Sequence, residues 1–407
     1  MSGWSRYAFH KSGGFIMLIK IPYPLKKILN PIASLKLTVA CLLISILLVF
    51  FGTLAQVEFG IWEAQNRYFS TWWVWETIQF GEWSIPLFLP GGYLVGSVLL
   101  INLLAAHGTR FKLTWKKSGI VLTHIGILLL IVGGFITGAT SHEGAMSIRE
   151  GDSSRFIESF HERELAVVDK SDPETDQVVA FDTSLFQTGY RVDHPDLPFF
   201  IDVHQYFPNS RLRMREDGAV GQFTRVNRGF GQRIAVRPHR ETFKQDEQNL
   251  ISMEAKLVDK DSNQSLGYWL FTNAIVASQS VEAAGKTYQI SLRPTRTYVP
   301  YAIKLIDFSH DKYPGTQVPV NFSSKVQLAN DEGTVDRESL IYMNHPLRFE
   351  GRTFYQQSFG ENDKLSVLQV VKNPGWQLPY LSCALLALGL CLQFGIHLGQ
   401  FLKRRGA

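Results

Sequence analysis

The apolar run from Ser118 to Gly138 constrains this chain most, because its length and composition suit it to crossing a lipid bilayer. At 1.5 Å per residue the run reaches about 30 Å, the thickness of a hydrocarbon core. Lys116 and Lys117 precede it, and basic residues in this position mark the cytoplasmic end of a span. The one side chain in the run that titrates near neutral pH is His124. An ionisable group is costly inside a membrane, so His124 is the first candidate functional residue.

Three further apolar segments repeat this pattern. The sequence predicts membrane spans over residues 37–55, 90–106, 118–138 and 376–402. Basic stretches at 1–36, 107–117 and 403–407 place both termini and the 107–117 loop in the cytoplasm. No small-residue cleavage site follows the first span, so we expect it to remain as an anchor.

The long hydrophilic stretch at residues 139–375 is predicted to be a separate, extracytoplasmic domain. Short segments alternate between apolar and polar residues and are separated by turn residues, which is typical of an all-β sandwich or barrel. No internal repeat is evident, and the Arg-rich stretch 208–250 is the region expected to be most mobile. The three cysteines, Cys41, Cys383 and Cys391, all lie in the spans, so the domain contains no disulfide. The fold class is therefore an integral membrane protein with four transmembrane α-helices and a large all-β domain between the third and fourth.

Several function classes lack support. The net charge of +5 is mild, and the basic residues collect beside apolar runs, which indicates a membrane and not a nucleic acid. The chain has no Gly-x-Ser-x-Gly, no His-Glu-x-x-His and no phosphate-binding loop. The spans contain no acidic residue, which argues against a proton-driven transporter.

His124 has two interpretations. A neutral imidazole can hydrogen-bond to a neighbouring helix, or it can be an axial ligand of haem iron. Haem suits a lipid site because its ring is apolar, while its propionates need cations. The basic residues near the cytoplasmic end that could bind propionates are Arg110, Lys112, Lys116 and Lys117. His107 and His397 lie near the ends of the second and fourth spans and are the alternative ligands.

Residues 56–89 return on the outer side and are rich in tryptophan, which collects at membrane interfaces. We interpret this segment as lying along the membrane surface, with a haem-shielding platform as the alternative.

From about Lys27 onward, the chain resembles the ResB (CcsB) family of system II cytochrome c biogenesis. The membrane stretches that carry the resemblance are Gly52-Thr-Leu-Ala-Gln56, Leu89-Pro-Gly-Gly92 with Asn102, and Lys117-Ser-Gly followed by Leu122-Thr-His-Ile-Gly126. Those in the hydrophilic domain are Ile148-Arg-Glu-Gly151, Leu197-Pro-Phe-Phe200, Tyr298-Val-Pro-Tyr-Ala-Ile-Lys-Leu-Ile-Asp-Phe308, Tyr313-Pro-Gly-Thr316, Asn321-Phe-Ser-Ser324, and Asn344-His-Pro-Leu followed by Gly351-Arg-Thr-Phe-Tyr-Gln356.

The resemblance implies a bacterial inner-membrane protein with a periplasmic domain. It implies a CcsA (ResC) membrane partner, with which the chain carries haem b transiently across the membrane for thioether attachment to apocytochrome c. Attachment would belong to the complex and not to this chain alone. Thiol-reducing proteins of the pathway are further expected partners. The partner's Trp-rich motif is absent, because Trp72-Trp-Val-Trp-Glu76 departs from it, so the partner would be a separate chain. The family's membrane histidine corresponds to His124. The alternative is a non-haem scaffold subunit whose β domain binds a periplasmic protein.

Overall fold

The computed structural model describes residues 29–80, 83–110, 114–172, 175–215, 225–242, 249–315, 319–330, 333–361 and 363–406. The chain divides into a helical unit, which combines the residues before 142 with those after 372, and a β unit over residues 142–372. The four apolar helices and the large β-rich domain expected from the sequence are both confirmed.

The helical unit is built on four helices. These are α1 (Leu35–Ala64), α2 (Gly92–Arg110), α3 (Ser118–Thr140) and α4 (Gln377–Arg405). In the described part of the chain, all four are long and apolar enough to cross a membrane. Helix α1 continues beyond the predicted span, bends at Gly60 (φ 73°), and is followed by a π-helical turn over Gln65–Phe69.

Small residues allow α3 and α4 to pack closely. Gly119, Gly126 and Gly133 recur every seven residues on α3, and all three face α4. A Cβ at Gly119 would lie 2.6 Å from the backbone oxygen of Gly389 on α4. In lipid the hydrophobic effect does not drive helices together, and close packing at small residues of this kind stabilises their association.

The aromatic segment after α1 forms a two-stranded hairpin, which the sequence analysis did not predict. Strands β1 (Trp73–Phe80) and β2 (Trp83–Pro90) pair antiparallel, with Trp75 opposite Phe88. Val74 on one face is buried in the cluster that includes α1 and α2, whereas Trp73, Trp75 and Phe88 are exposed. Trp73 stacks on Phe88 with ring centroids 5.1 Å apart.

A single arginine bridges two carboxylates in this region of the helical unit. Arg67, in the π-helical turn, donates to Glu63 (2.6 Å) and to Glu76 of β1 (3.0 Å). Arg67 thereby links the end of α1 to strand β1.

The β unit contains sixteen strands in chain order. They are β3 (His142–Arg149), β4 (Ser153–Asp169), β5 (Gln177–Asp182), β6 (Arg191–Val192), β7 (Phe199–Phe207), β8 (Ser210–Met214), β9 (Ile234–Pro238), β10 (Ser252–Asp259), β11 (Ser265–Thr272), β12 (Gln279–Ala283), β13 (Lys286–Lys312), β14 (Pro319–Asn330), β15 (Asp336–Tyr342), β16 (Leu347–Phe349), β17 (Arg352–Gly360) and β18 (Leu365–Lys372).

Fourteen of these strands form two modules, because β4 and β13 are long enough to contribute to both. Module 1 combines β11-β10-β7-β6 with a second layer of β12, residues 286–294 of β13, residues 164–169 of β4, and β5. Module 2 combines β15-β14, residues 301–312 of β13 and the start of β4 with a layer of β16-β17-β18-β3. Each module has its own apolar core. The hairpin β8–β9 is an insertion between β7 and β10.

The two modules repeat one another in register. Leu257 of β10 pairs with Ile201 of β7, and Leu328 of β14 pairs with Ile303 of β13. The paired positions in β10 and β14 are 71 residues apart (257 to 328), and those in β7 and β13 are 102 apart (201 to 303). The same two shifts relate every other equivalent pair from Asp259 to Glu254.

Irregular features repeat as well. A β-bulge leaves His204 unpaired in module 1 and Ile306 unpaired at the equivalent place in module 2. Gly189 and Gly151 both have φ 89°, and they donate their N–H groups to equivalent carbonyls, Gly189 to Val203 of β7 and Gly151 to Leu305 of β13. These coincidences identify an internal duplication, so the expectation of no internal repeat was wrong. The repeat has no fixed period because the modules are interleaved in the chain and only module 1 contains the long insertion.

A carboxyl side chain is buried on strand β10 of module 1. Glu254 of β10 is 2% exposed and lies across from Gln205 of β7. Burial raises the pKa of its carboxyl, and the N–H and charge of Arg225 only partly oppose this. The other polar groups facing this region include His204, whose Nδ1 lies 3.2 Å from Arg225, and Lys256 on β10. The folded chain therefore holds a proton here to a higher pH than the unfolded chain does.

We expect Glu254→Gln to stabilise the protein at neutral pH. An acid with a raised folded pKa contributes stability below its unfolded pKa, and that contribution is lost as pH rises through the folded value. The substitution should raise the thermal midpoint at pH 7.5 by about 2–4 °C, the shift for about 1 kcal/mol in a domain of this size, and change it little at pH 4.5. Glu282→Gln, on the exposed side of β12, is the matched control. A pH-independent difference between Glu254→Gln and wild type would contradict the prediction.

Candidate site at the histidine pair

Two histidines from neighbouring helices meet in the helical unit. His107 lies three residues before the end of α2, and His124 lies six residues after the start of α3. Their ring centroids are 5.0 Å apart, and the ring planes cross at 76°. Both side chains are half-buried. The sequence analysis named both residues but treated His107 only as an alternative to His124.

The hydrogen bond of His107 determines which of its nitrogens can bind a metal. Its Nδ1 lies 2.9 Å from the carbonyl oxygen of Leu103, one turn earlier, which can only accept a proton. Nδ1 therefore carries the hydrogen, and a neutral His107 keeps its lone pair on Nε2. Backbone hydrogen bonds of this kind commonly orient metal-binding imidazoles.

The geometry of the histidine pair suits haem binding in which one of the two residues binds the iron and the other supports it. Rings in edge-to-face contact at 5.0 Å leave no room for a flat macrocycle between them. The two imidazoles therefore do not have the arrangement of axial ligands on opposite faces of one haem. One of them can bind iron while the other packs against its ring.

Basic residues lie at the same ends of the two helices. Arg110 is the last residue of α2, and Lys116 and Lys117 form an exposed turn immediately before α3. Lys112, the remaining predicted propionate contact, lies outside the described residues. Each of the three cations is thus within eight residues of one of the two histidines along the chain, which suits a ligand with an apolar ring and anionic groups at one edge.

His397 has a different environment. It is exposed on α4, and its Nε2 lies 2.9 Å from the side-chain nitrogen of Gln393. Gln393 also accepts the N–H of Ile120 (3.2 Å), so it links α4 to the first turn of α3. The sequence analysis missed Gln393, although a glutamine four residues before a histidine in an apolar helix is a detectable signal.

The exposed aromatic face is distant from the histidine pair along α2. The hairpin β1–β2 precedes the first residues of α2, whereas His107 lies fifteen positions after Gly92, or about 22 Å at the rise of an α-helix. The aromatic face and the histidines are therefore at opposite ends of the same helix. This separation favours the interfacial interpretation of the segment over shielding of a ligand bound at His124.

Comparison with known proteins identifies related sequences. Residues 271–367 match the model of the ResB-like family. The chain is also 24% identical over 302 residues to protein NrfI of Wolinella succinogenes, an alignment that covers 72% of this chain and 29% of that relative. The resemblance to the ResB family is thus confirmed, and this chain spans less than a third of the length of NrfI.

Proposed function

We propose that this ResB-like chain is a membrane subunit of a cytochrome c maturation complex, with haem b as a transient cargo. The proposal rests above all on the paired His107 and His124 beside a basic helix end, in a chain that carries a ResB-like segment. Haem is a substrate here, and this chain would bind and orient it without altering it. Covalent attachment to apocytochrome c is assigned to the assembled complex.

In this proposal the residues of the site have separate roles. His124 supplies one axial ligand, and His107 packs against its ring, with Nδ1 bonded to the Leu103 carbonyl. Arg110, Lys116 and Lys117, with Lys112, attract the propionates and set the direction in which haem enters. A CcsA/ResC-type partner would supply a further ligand, because His107 and His124 are in direct contact and cannot bind one iron from opposite sides.

The same proposal includes an orientation of the chain in the membrane. The helices α1 to α4 span a bacterial inner membrane, with both termini and the 107–117 loop cytoplasmic and the β unit periplasmic. The basic residues at Lys116, Lys117 and 403–405 support this orientation. The exposed tryptophans of β1 and the stacked Phe88 would then lie at the outer membrane interface, where such rings are favoured.

A spectrum of the co-purified complex tests the proposal. We expect the chain, co-expressed with its CcsA-type partner and purified in detergent, to retain a Soret band that is much weaker for either protein expressed alone. A non-haem scaffold subunit, whose β domain binds a periplasmic protein, is the second candidate and is supported by the size of the β unit. It predicts a complex of the same composition without a Soret band.

A further inference from the structure

The duplication allows the two modules to be compared edge by edge. In module 2, strand β3 is covered on its outer edge by β4, through the pairs Gly144–Ser159 and Ala145–Glu158. The equivalent strand in module 1 is β5, because β5 pairs with β4 as β3 pairs with β18. Within the described residues of the β unit, no strand pairs with the other edge of β5.

Because this edge of β5 is uncovered, apolar side chains of β5 are more exposed than the equivalent side chains of β3. Met146 and Ile148 of β3 are 0% and 2% exposed, whereas the equivalent Val179 and Phe181 of β5 are only half-buried. Gly144 is also adapted to the covering strand, since a Cβ there would lie 2.6 Å from the backbone oxygen of Glu158. Module 1 has Gln177 in this position, with no such crossing strand to accommodate.

The path of the chain in each module explains why β3 is covered and β5 is not. In module 2 the chain continues from residues 153–154 as one strand and crosses β3. In module 1 the equivalent strand β6 ends at Val192, and Pro195 and Pro198 follow. Proline has no N–H to donate to a ladder and terminates strand pairing. The chain therefore turns into β7 without covering β5.

Other edge strands of the β unit carry features that prevent strand addition. Strand β15 has Arg337 and Glu338, β12 has Glu282, and β6 and β16 are two and three residues long. The edge of β11 is covered where the Tyr268 carbonyl accepts N–H groups from residues 227 and 228. Strand β5 reads Gln-Val-Val-Ala-Phe-Asp, with no charge before Asp182 and no proline. Such an edge is a ready template for another strand.

We propose that β5 is an acceptor edge onto which an extended segment of unfolded apocytochrome c adds as an antiparallel strand. The identity of this occupant rests on the proposed function. Module 2 shows the kind of element that fills this edge, namely an extended polypeptide segment. Main-chain pairing is tolerant of sequence, so one edge can receive different apocytochromes before haem attachment lets them fold. Apolar side chains of the added strand would complete the burial of Val179 and Phe181.

Site-specific photo-cross-linking tests the proposal in the intact complex. The probe is Val178→p-benzoylphenylalanine in the full chain, co-expressed with the CcsA-type partner and a tagged apocytochrome c whose two haem-binding cysteines are serines. The matched control carries the same photoreactive residue at Leu340, which is exposed on the edge strand β15. We expect an adduct with the tagged apocytochrome from position 178 and little from position 340.

A charge on the edge should abolish the adduct. Ala180→Lys places a lysine on exposed β5, and edge lysines oppose strand addition, so the yield from position 178 should fall about tenfold. Leu340→Lys should leave it unchanged, and an unaltered thermal midpoint would show that Ala180→Lys still folds. Adducts from position 178 with a second copy of this chain or with the CcsA-type partner, or no adduct, would overturn the proposal.

The cross-linking result can be interpreted separately from the test of the proposed haem function. The serine variant of apocytochrome c cannot receive haem, so its cross-link does not require haem delivery. The adduct should therefore persist in the His124→Ala chain. A wild-type complex that lacks haem but still forms the adduct would contradict the haem role and leave the β5 edge in place.

Discussion

His124→Ala is expected to remove the Soret band of the purified complex and to lower the yield of mature cytochrome c by at least about tenfold. The imidazole is the one ligand that α3 offers to iron, and alanine leaves a space at the same position. Added imidazole should fill that space and restore part of both signals, because it returns the iron ligand without restoring the side chain. The measurements are the absorption spectrum of the complex and haem staining of the cytochrome.

A substitution at His107 provides a comparison in which a smaller loss of haem is expected. His107→Ala should weaken haem retention less than His124→Ala, within the range of about 10–100-fold in affinity typical for residues that orient a ligand. Its effect should resist imidazole rescue, since the iron ligand itself is still present. His397→Ala, on the exposed side of α4, should retain the Soret band. If His124→Ala kept full haem and full maturation, His124 would be structural, and His107 and His397 would become the ligands to test.

Gly119→Leu is expected to prevent α3 and α4 from packing. A Cβ at this position would lie 2.6 Å from both the backbone nitrogen of Gln393 and the backbone oxygen of Gly389, and neither atom can move without moving α4. Overpacking typically costs about 1–3 kcal/mol, and a leucine against a rigid backbone belongs at the upper end. That is a shift of about a hundredfold in the packing equilibrium. We expect a large loss of monodisperse chain after detergent extraction and a lower thermal midpoint.

Gly134→Leu is the control for this substitution. It places the same side chain on the same helix, but a Cβ at Gly134 has no atom within 4 Å, so it adds apolar surface without a clash. Its recovery and midpoint should match those of the wild type. Equal losses in both variants would show that leucine harms α3 through some property other than contact with α4.

Much of the helical unit could be predicted without a structure, because membrane spans are defined by local composition. Twenty apolar residues must satisfy their own backbone groups in lipid, so each of the four segments becomes a helix whatever surrounds it. The same reasoning identified His124, since an ionisable group stands out in such a run. Which glycines of α3 contact α4 does not follow from composition, since Gly119, Gly126 and Gly133 face α4, whereas Gly134 faces open space.

Contacts between segments distant in sequence could not be predicted in this way. The pairing of His107 with His124 depends on how α2 and α3 are rotated about their axes, and an apolar helix without a polar face carries little information about rotation. The hairpin of β1 and β2 depends similarly on burial of Val74 against the helical cluster. In the β unit, alternation showed that the chain forms strands but not which strands pair.

The sequence alone therefore determined the four apolar helices, the β-rich class of the large domain and the position of one histidine within an apolar helix, because each follows from the chemistry of neighbouring residues. The tertiary structure alone decided that His107 joins His124, that two modules share β4 and β13, and that β5 keeps an open edge. Those features arise from register and packing between residues that are as far apart in the chain as Ser153 and Lys304, which pair between β4 and β13. Many such pairings bury similar surface, and only the complete fold selects one.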